Sequence, residues 1–158
     1  MSATPHPTLE DAKSLMGAAS ALLDRSVAAA RELTDGGQKI DDHQVITERV
    51  AYAATEAIAA KEVIASIEEI RAEGRSNEML ELTAVASVGE LVESLRSKLA
   101  ASADELGLGD EAVEAAFPAD VRGLLRRANA ESLYRTIGTH VAETGGRNDF
   151  PLDEMHEQ

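Results

Sequence analysis

The chain contains no cysteine and no tryptophan, and aromatic residues make up only 3% of its 158 positions. Without cysteine it has no disulfide, no thiol nucleophile and no cysteine-ligated zinc site. With so few aromatic side chains it also offers little surface on which nucleic-acid bases can stack. The core is therefore built from alanine, leucine, valine and isoleucine, a composition that suits closely spaced helices.

Long apolar runs are missing as well. No stretch approaches the roughly 20 apolar residues that a helix needs to cross a bilayer. Residues 1–7 show neither the basic region nor the apolar region of a signal peptide. We therefore expect a cytoplasmic protein that does not bind a membrane.

Basic residues are scarce, with 15 Lys and Arg against 29 Asp and Glu, so the net charge is -14. Such a charge repels a phosphate backbone, and we expect no nucleic-acid partner. What is present is typical of a globular protein, because 44% of the residues are hydrophobic. The length fits one domain that buries a substantial core.

Apolar residues recur at alternating steps of three and four, which predicts amphipathic helices. The predicted long helices span about 8–33, 41–72, 76–106 and 119–141, with a short helix at 110–116 before Pro118. No run of alternating β-branched residues indicates a strand. We predict an all-α protein, an up-and-down four-helix bundle over 8–146, with a flexible segment 1–7 and a linker 147–158 that leads into a following helix or domain.

Capping residues locate the predicted helix ends. Thr8 is a good N-cap for the first helix, and Asp41 with Gln44 resembles a capping box that opens the second at Asp41 or Asp42. The glycine pairs at 36–37 and 145–146 are interpreted as helix stops. Gly89, inside the third helix, is a local weak point that costs about 1 kcal/mol relative to alanine if it is exposed.

No catalytic motif is found. A carboxylate-bridged metal site in a bundle uses Glu-x-x-His, which this chain lacks, although its many glutamates leave a metal-bundle enzyme as a third hypothesis. His140 and Glu143 share a helix face, and we interpret them as a solvated pair. The cluster at 41–43 (Asp, Asp, His) is interpreted as a helix start and not as a metal site.

Arginines are concentrated between Pro118 and Arg135 against the acidic background. Arg122 and Arg126 are four residues apart on one helix face, and Arg127 follows them. They are candidates to hold a phosphate-bearing ligand or an acidic partner surface. The alternative is that they pair with acids on neighbouring helices or are solvated. We predict no catalytic, cofactor-binding or metal-binding residue in the chain itself.

One segment resembles a known family. The matching stretches are 40–45 (IDDHQV), 49–51 (RVA), 54–56 (ATE) and 59–61 (AAK). They resemble the helical C-terminal domain of acyl-CoA dehydrogenases, and 150–158 is similar to the run-in to the first helix of that superfamily. A bundle in front of that helix is similar to the N-terminal extension of (2S)-methylsuccinyl-CoA dehydrogenases.

The resemblance implies the fold of that helical domain and a parent enzyme that uses FAD to desaturate an acyl-CoA thioester. The family's β-domain, its glycine-rich flavin motif and its catalytic glutamate have no counterpart in this chain. The resemblance therefore implies a non-catalytic extension that packs on a dehydrogenase core, in the same or an associated chain, and supports oligomerisation or substrate access. We also expect a homo-oligomer. The alternative hypothesis is a free-standing interaction or regulatory bundle that self-associates through an alanine-rich face.

Overall fold

The computed structural model describes residues 5–146, and all regular structure in this range is helical. Its helices are α1 (Leu9–Leu33), α2 (Gln44–Ala72), α3 (Glu78–Ala100), α4 (Gly109–Ala116), α5 (Ala119–Ala128) and α6 (Glu131–Glu143). The predicted all-α helical bundle is confirmed for the described part of the chain. The predicted linker at 147–158 and the tail that resembles a dehydrogenase helix start lie outside it.

The first helix begins at the cap that the sequence predicts. Thr8 Oγ1 accepts a hydrogen bond from the Asp11 amide at 3.3 Å, and the Thr8 amide donates to Asp11 Oδ2 at 2.8 Å. This reciprocal pair satisfies two amides that the first helical turn leaves without a partner. At the other end, Asp35, Gly36 and Gly37 adopt φ of 52°, 67° and 102°, so the chain leaves the helix through left-handed residues as predicted.

The start of the second helix differs from the prediction. Residues Ile40–His43 form a 3-10 turn, and α2 begins at Gln44, with no side-chain cap from His43. The side chains of Asp41 and Gln44 do meet, because Gln44 Nε2 donates to Asp41 Oδ1 at 3.2 Å. That bond joins two side chains and leaves the backbone amides uncapped. The predicted capping box at Asp41 is therefore wrong.

The three long helices form an antiparallel core. The Lys13 ammonium pairs with Glu68, which joins the start of α1 to the end of α2. Arg49 Nη1 donates to Ser102 Oγ at 3.0 Å, which joins the start of α2 to the chain just after α3. The buried seam of α2 follows the predicted three-and-four spacing, with alanines in its middle: Val50, Ala53, Ala57, Ala60, Ile64, Ile67 and Ile70.

The fourth position of the bundle is filled by short helices. α5 packs against α1 and α3, and α6 packs against α3. The single helix predicted over about 119–141 is therefore wrong, because Ala130 is extended and divides it. Asn129 ends α5 by donating from its side chain to the Leu125 carbonyl at 3.0 Å. The break lets the chain turn so that Leu133 is fully buried.

Gly89 has a different role from the predicted one. It is buried on α3, and a Cβ placed on it would lie 2.8 Å from Ala128 Cβ on α5. The missing side chain therefore allows α5 to approach α3 closely. Within residues 5–146, no helix is long and apolar enough to span a membrane.

Candidate functional site

A groove between α3 and α5 collects cationic side chains. It has a volume of about 380 Å³ and is lined by Glu93, Arg96, Arg122, Leu125, Arg126 and Asn129. Two of the three arginines singled out in the sequence, Arg122 and Arg126, lie in this groove. Arg127 is exposed and does not line it. We call this feature the arginine groove.

Two of its guanidinium groups are held in place. Arg122 Nη1 donates to the Phe117 carbonyl at 2.8 Å, which anchors its side chain over the turn between α4 and α5. Arg96 donates to both carboxylate oxygens of Glu93, at 2.6 and 3.3 Å. Neither contact uses all five N–H donors of a guanidinium, so both side chains keep donors for a ligand.

Arg126 differs from these two because it is exposed. Among residues 5–146 it makes no hydrogen bond or ion pair. The sequence did not reveal Arg96 and Glu93 as groove residues, because they lie on a helix that is distant in the chain. No local spacing pattern relates α3 to α5.

Asn129, which lines the groove, also makes a polar contact with α6. Tyr134 Oη donates to Asn129 Oδ1 at 3.3 Å, and this joins α6 to the end of α5. Burial raises the pKa of Tyr134 to about 12, and the nearby Glu90 carboxylate contributes in the same direction. The tyrosine therefore stays protonated and neutral over the physiological range.

A second feature is the outer face of α2. Val45, Tyr52 and Ile58 are exposed by 61%, 55% and 62%. Alanines on the same face are also exposed, at positions 51, 59 and 65. Since the inner face of α2 forms the buried seam, these apolar side chains lie on its outer, water-facing side. An apolar side that faces water is typical of an interaction surface.

Acidic residues run through the middle of this outer face. Glu48, Glu62 and Glu69 are exposed and stand at multiples of seven residues, with Thr55 between them. A spacing of seven returns a helix to nearly the same side, so these residues form one row. Val45 and Tyr52 flank the row on one side and Ile58 on the other. We call this surface the outer face of α2.

The seam between α2 and α3 contains a polar cluster. Glu56 Oε1 accepts from Ser94 Oγ at 2.7 Å and from Lys98 Nζ at 2.6 Å. Glu56 Oε2 is buried and has no partner within the described residues. Glu56 is the last residue of the Ala-Thr-Glu triplet at 54–56. It joins α2 to α3 through these polar side chains.

The histidine and acid pairs from the sequence do not form a metal centre. His140 and Glu143 line a larger open groove of about 1000 Å³, together with His6 and the ion pair of Arg135 with Glu131. His6 Nε2 lies 3.2 Å from Thr136 Oγ1. In the described residues, no group of three or more His, Asp or Glu side chains is placed to hold a metal ion.

Comparisons with protein-family models, with curated proteins and with solved structures find no significant match to this chain. The candidate surfaces therefore rest on their own geometry.

Proposed function

We propose that this chain is a non-catalytic helical domain that binds another protein through the outer face of α2. The partner we propose is the core of an acyl-CoA dehydrogenase-like flavoenzyme, in the same or an associated chain. FAD would then belong to that core. The observation that carries the proposal is the exposure of Val45, Tyr52 and Ile58 on a helix whose other side is already buried.

The apolar exposure supports a binding function because it has no role in the fold. Tyr52 and Ile58 each leave more than half of their surface in water. Covering a side chain of this size is worth about 1.5–3 kcal/mol. The same helix contains residues 44–61, most of the segment that resembles the acyl-CoA dehydrogenase helical domain.

The acidic row indicates the chemistry of the partner. Glu48, Glu62 and Glu69 would face whatever covers the apolar side chains, so a matching surface presents lysine or arginine between apolar residues. A second copy of this chain is a poor match. Two α2 helices packed antiparallel about Thr55 would bring Glu48 opposite Glu62, and like charges across an interface repel.

The test is a pull-down from the native source with the tagged 158-residue chain as bait. We expect it to retain a yellow protein that shows flavin absorption and is identified by mass as an acyl-CoA dehydrogenase. The double variant Tyr52→Glu, Ile58→Glu should lose this protein. Val27→Glu is the matched control, because Val27 is also exposed, by 45%, and lies on α1 and not on α2.

Two results would count against the proposal. If both variants retain the same partner as the unmodified chain, the outer face of α2 is not the binding surface. If light scattering shows a stable dimer that Tyr52→Glu dissociates and no flavoprotein is retained, the alternative of a self-associating bundle is correct. Circular dichroism of each variant confirms that its helices are intact.

A further inference from the structure

The arginine groove is electrostatically unlike the rest of the chain. It contains three guanidinium groups and one carboxylate, from Glu93, whereas the whole chain has a net charge of -14. Isolated surface arginines in an acidic protein ordinarily find acidic partners. Here Arg126 has none among residues 5–146, although it shares its groove with two other cations. The cations are grouped in spite of their mutual repulsion.

The local anchors suit a bound anion. The Phe117 carbonyl holds Arg122 and the Glu93 carboxylate holds Arg96, so two guanidinium groups are oriented before any ligand binds. Hydrogen-bond donors that are already oriented lose less conformational entropy when a ligand binds. Guanidinium forks match the oxygens of a phosphate group and donate two parallel hydrogen bonds to it.

The size of the groove favours a small ligand over a protein segment. A volume of about 380 Å³ is within the range of small-molecule sites and fits a phosphate or diphosphate group. Leu125 forms an apolar floor beside the cations. An acidic peptide would extend beyond this concavity onto α3 and α5, where Glu90 and Asp120 are exposed and would repel it.

We infer that the arginine groove binds the phosphate or diphosphate group of a small molecule through Arg96, Arg122 and Arg126. The groove is separate from the outer face of α2, since Ser94 and Lys98 of α3 face α2 while Arg96 faces α5. This binding does not depend on the proposed dehydrogenase partner. Its failure and the failure of that proposal are therefore distinguishable.

Calorimetric titration of the full chain with sodium pyrophosphate, at constant ionic strength in chloride, tests the inference. We expect saturable binding to one site, with amide shifts in α3 and α5 by NMR. Arg126→Ala should weaken it about tenfold, because a hydrogen bond to a charged group contributes about 1.5 kcal/mol and 1.4 kcal/mol is a factor of ten. Arg126 has no partner among residues 5–146, so this variant should remain folded.

Arg127→Ala is the matched control, since it removes the same charge from the next residue of the same helix. It should change the affinity by less than about twofold, because a solvated charge outside the groove is screened. Equal weakening by both variants would mean diffuse attraction and would overturn the inference, as would the absence of saturable binding.

Two further probes distinguish the sources of the anion. If ADP binds more tightly than pyrophosphate, the ligand is a phosphorylated organic molecule. If the two bind with equal affinity, the ligand is the inorganic anion. Both results support a phosphate site. A polyglutamate peptide that binds more tightly than pyrophosphate and displaces it would overturn the inference in favour of an acidic protein segment.

Discussion

Gly89 on α3 faces Ala128 on α5 so closely that a Cβ on the glycine would lie 2.8 Å from the alanine Cβ. The Ala128 carbonyl oxygen and carbon would lie at 3.1 and 3.2 Å from the same atom. Because two of these three atoms belong to the backbone, the neighbour has little freedom to move. The contact sets how closely the second half of the chain approaches the three-helix core.

Gly89→Ala should therefore destabilise the fold although alanine is the better helix former. We expect the free energy of unfolding to fall by about 1–2 kcal/mol, since overpacking outweighs the gain in helix propensity. Chemical denaturation measures this change. Gly17→Ala on α1 is the control, because nothing lies within 4 Å of its added Cβ. It should stabilise the protein, and an equal gain at Gly89 would refute the packing role.

Lys98→Met should destabilise the fold because it removes the cation from the Glu56 cluster. The methionine keeps most of the side-chain volume but leaves the Glu56 carboxylate, only 19% exposed, without its counter-charge. We expect a loss of about 2 kcal/mol in the free energy of unfolding, between the values for exposed and buried pairs. Adding Glu56→Gln should recover most of that loss. Arg135→Met breaks a pair that is 74% and 82% exposed, and should cost less than about 0.5 kcal/mol.

Glu81 should contribute to the acid sensitivity of the fold. Its two hydrogen bonds from Arg71, at 2.7 and 3.0 Å, hold its pKa below the ordinary value of 4.5, with a smaller contribution from Ser76. A lowered pKa in the folded state gives stability that is present above 4.5 and is lost as the pH falls below it. Glu81→Gln should therefore flatten the fall in unfolding free energy below pH 4.5. Arg71→Met should flatten it similarly, and an unchanged acid slope in both variants would contradict the assignment.

Tyr134 should make the stability of the fold depend on pH at the alkaline end of the range. Its pKa is raised from 10.0 to about 12, chiefly by burial, so the folded state favours the protonated phenol. The stability from this group is complete below pH 10 and is lost as the pH rises towards 12. In a Tyr52→Phe variant, Tyr134 is the one remaining tyrosine of the chain's two. Its phenolate absorbance should have a midpoint near pH 12, and a midpoint at 10 would show that Tyr134 is not buried.

The long helices were predictable because their signals are local. Thr8 and Asp11 make a cap from residues three apart, and the seam from Val50 to Ile70 follows a simple period. The division between α5 and α6 was not predictable, because only two residues separate the helices and the apolar pattern resumes at Leu133. The apolar periodicity of the sequence does not reveal a single extended residue such as Ala130.

The candidate surfaces divide in the same way. Arg122 and Arg126 stood out as an i, i+4 pair, and both lie in the arginine groove. Arg96 did not stand out, because its place there depends on how α3 crosses α5. Gly89 was interpreted as a weak point for the same reason, since only the packed structure reveals its contact with Ala128. Helix propensity is a property of a single helix, whereas the roles of Arg96 and Gly89 depend on how α3 packs against α5.

The alanine seam of α2 also limits how this protein can change over generations. At Ala53, Ala57 and Ala60, each at most 2% exposed, any larger side chain must push a neighbouring helix outward. On the other side of the same helix, Tyr52 and Ile58 are each more than half exposed. Under the proposed function, mutation of this side alters what α2 recognises with little effect on how it packs, so new binding specificities are accessible to this scaffold at little structural risk.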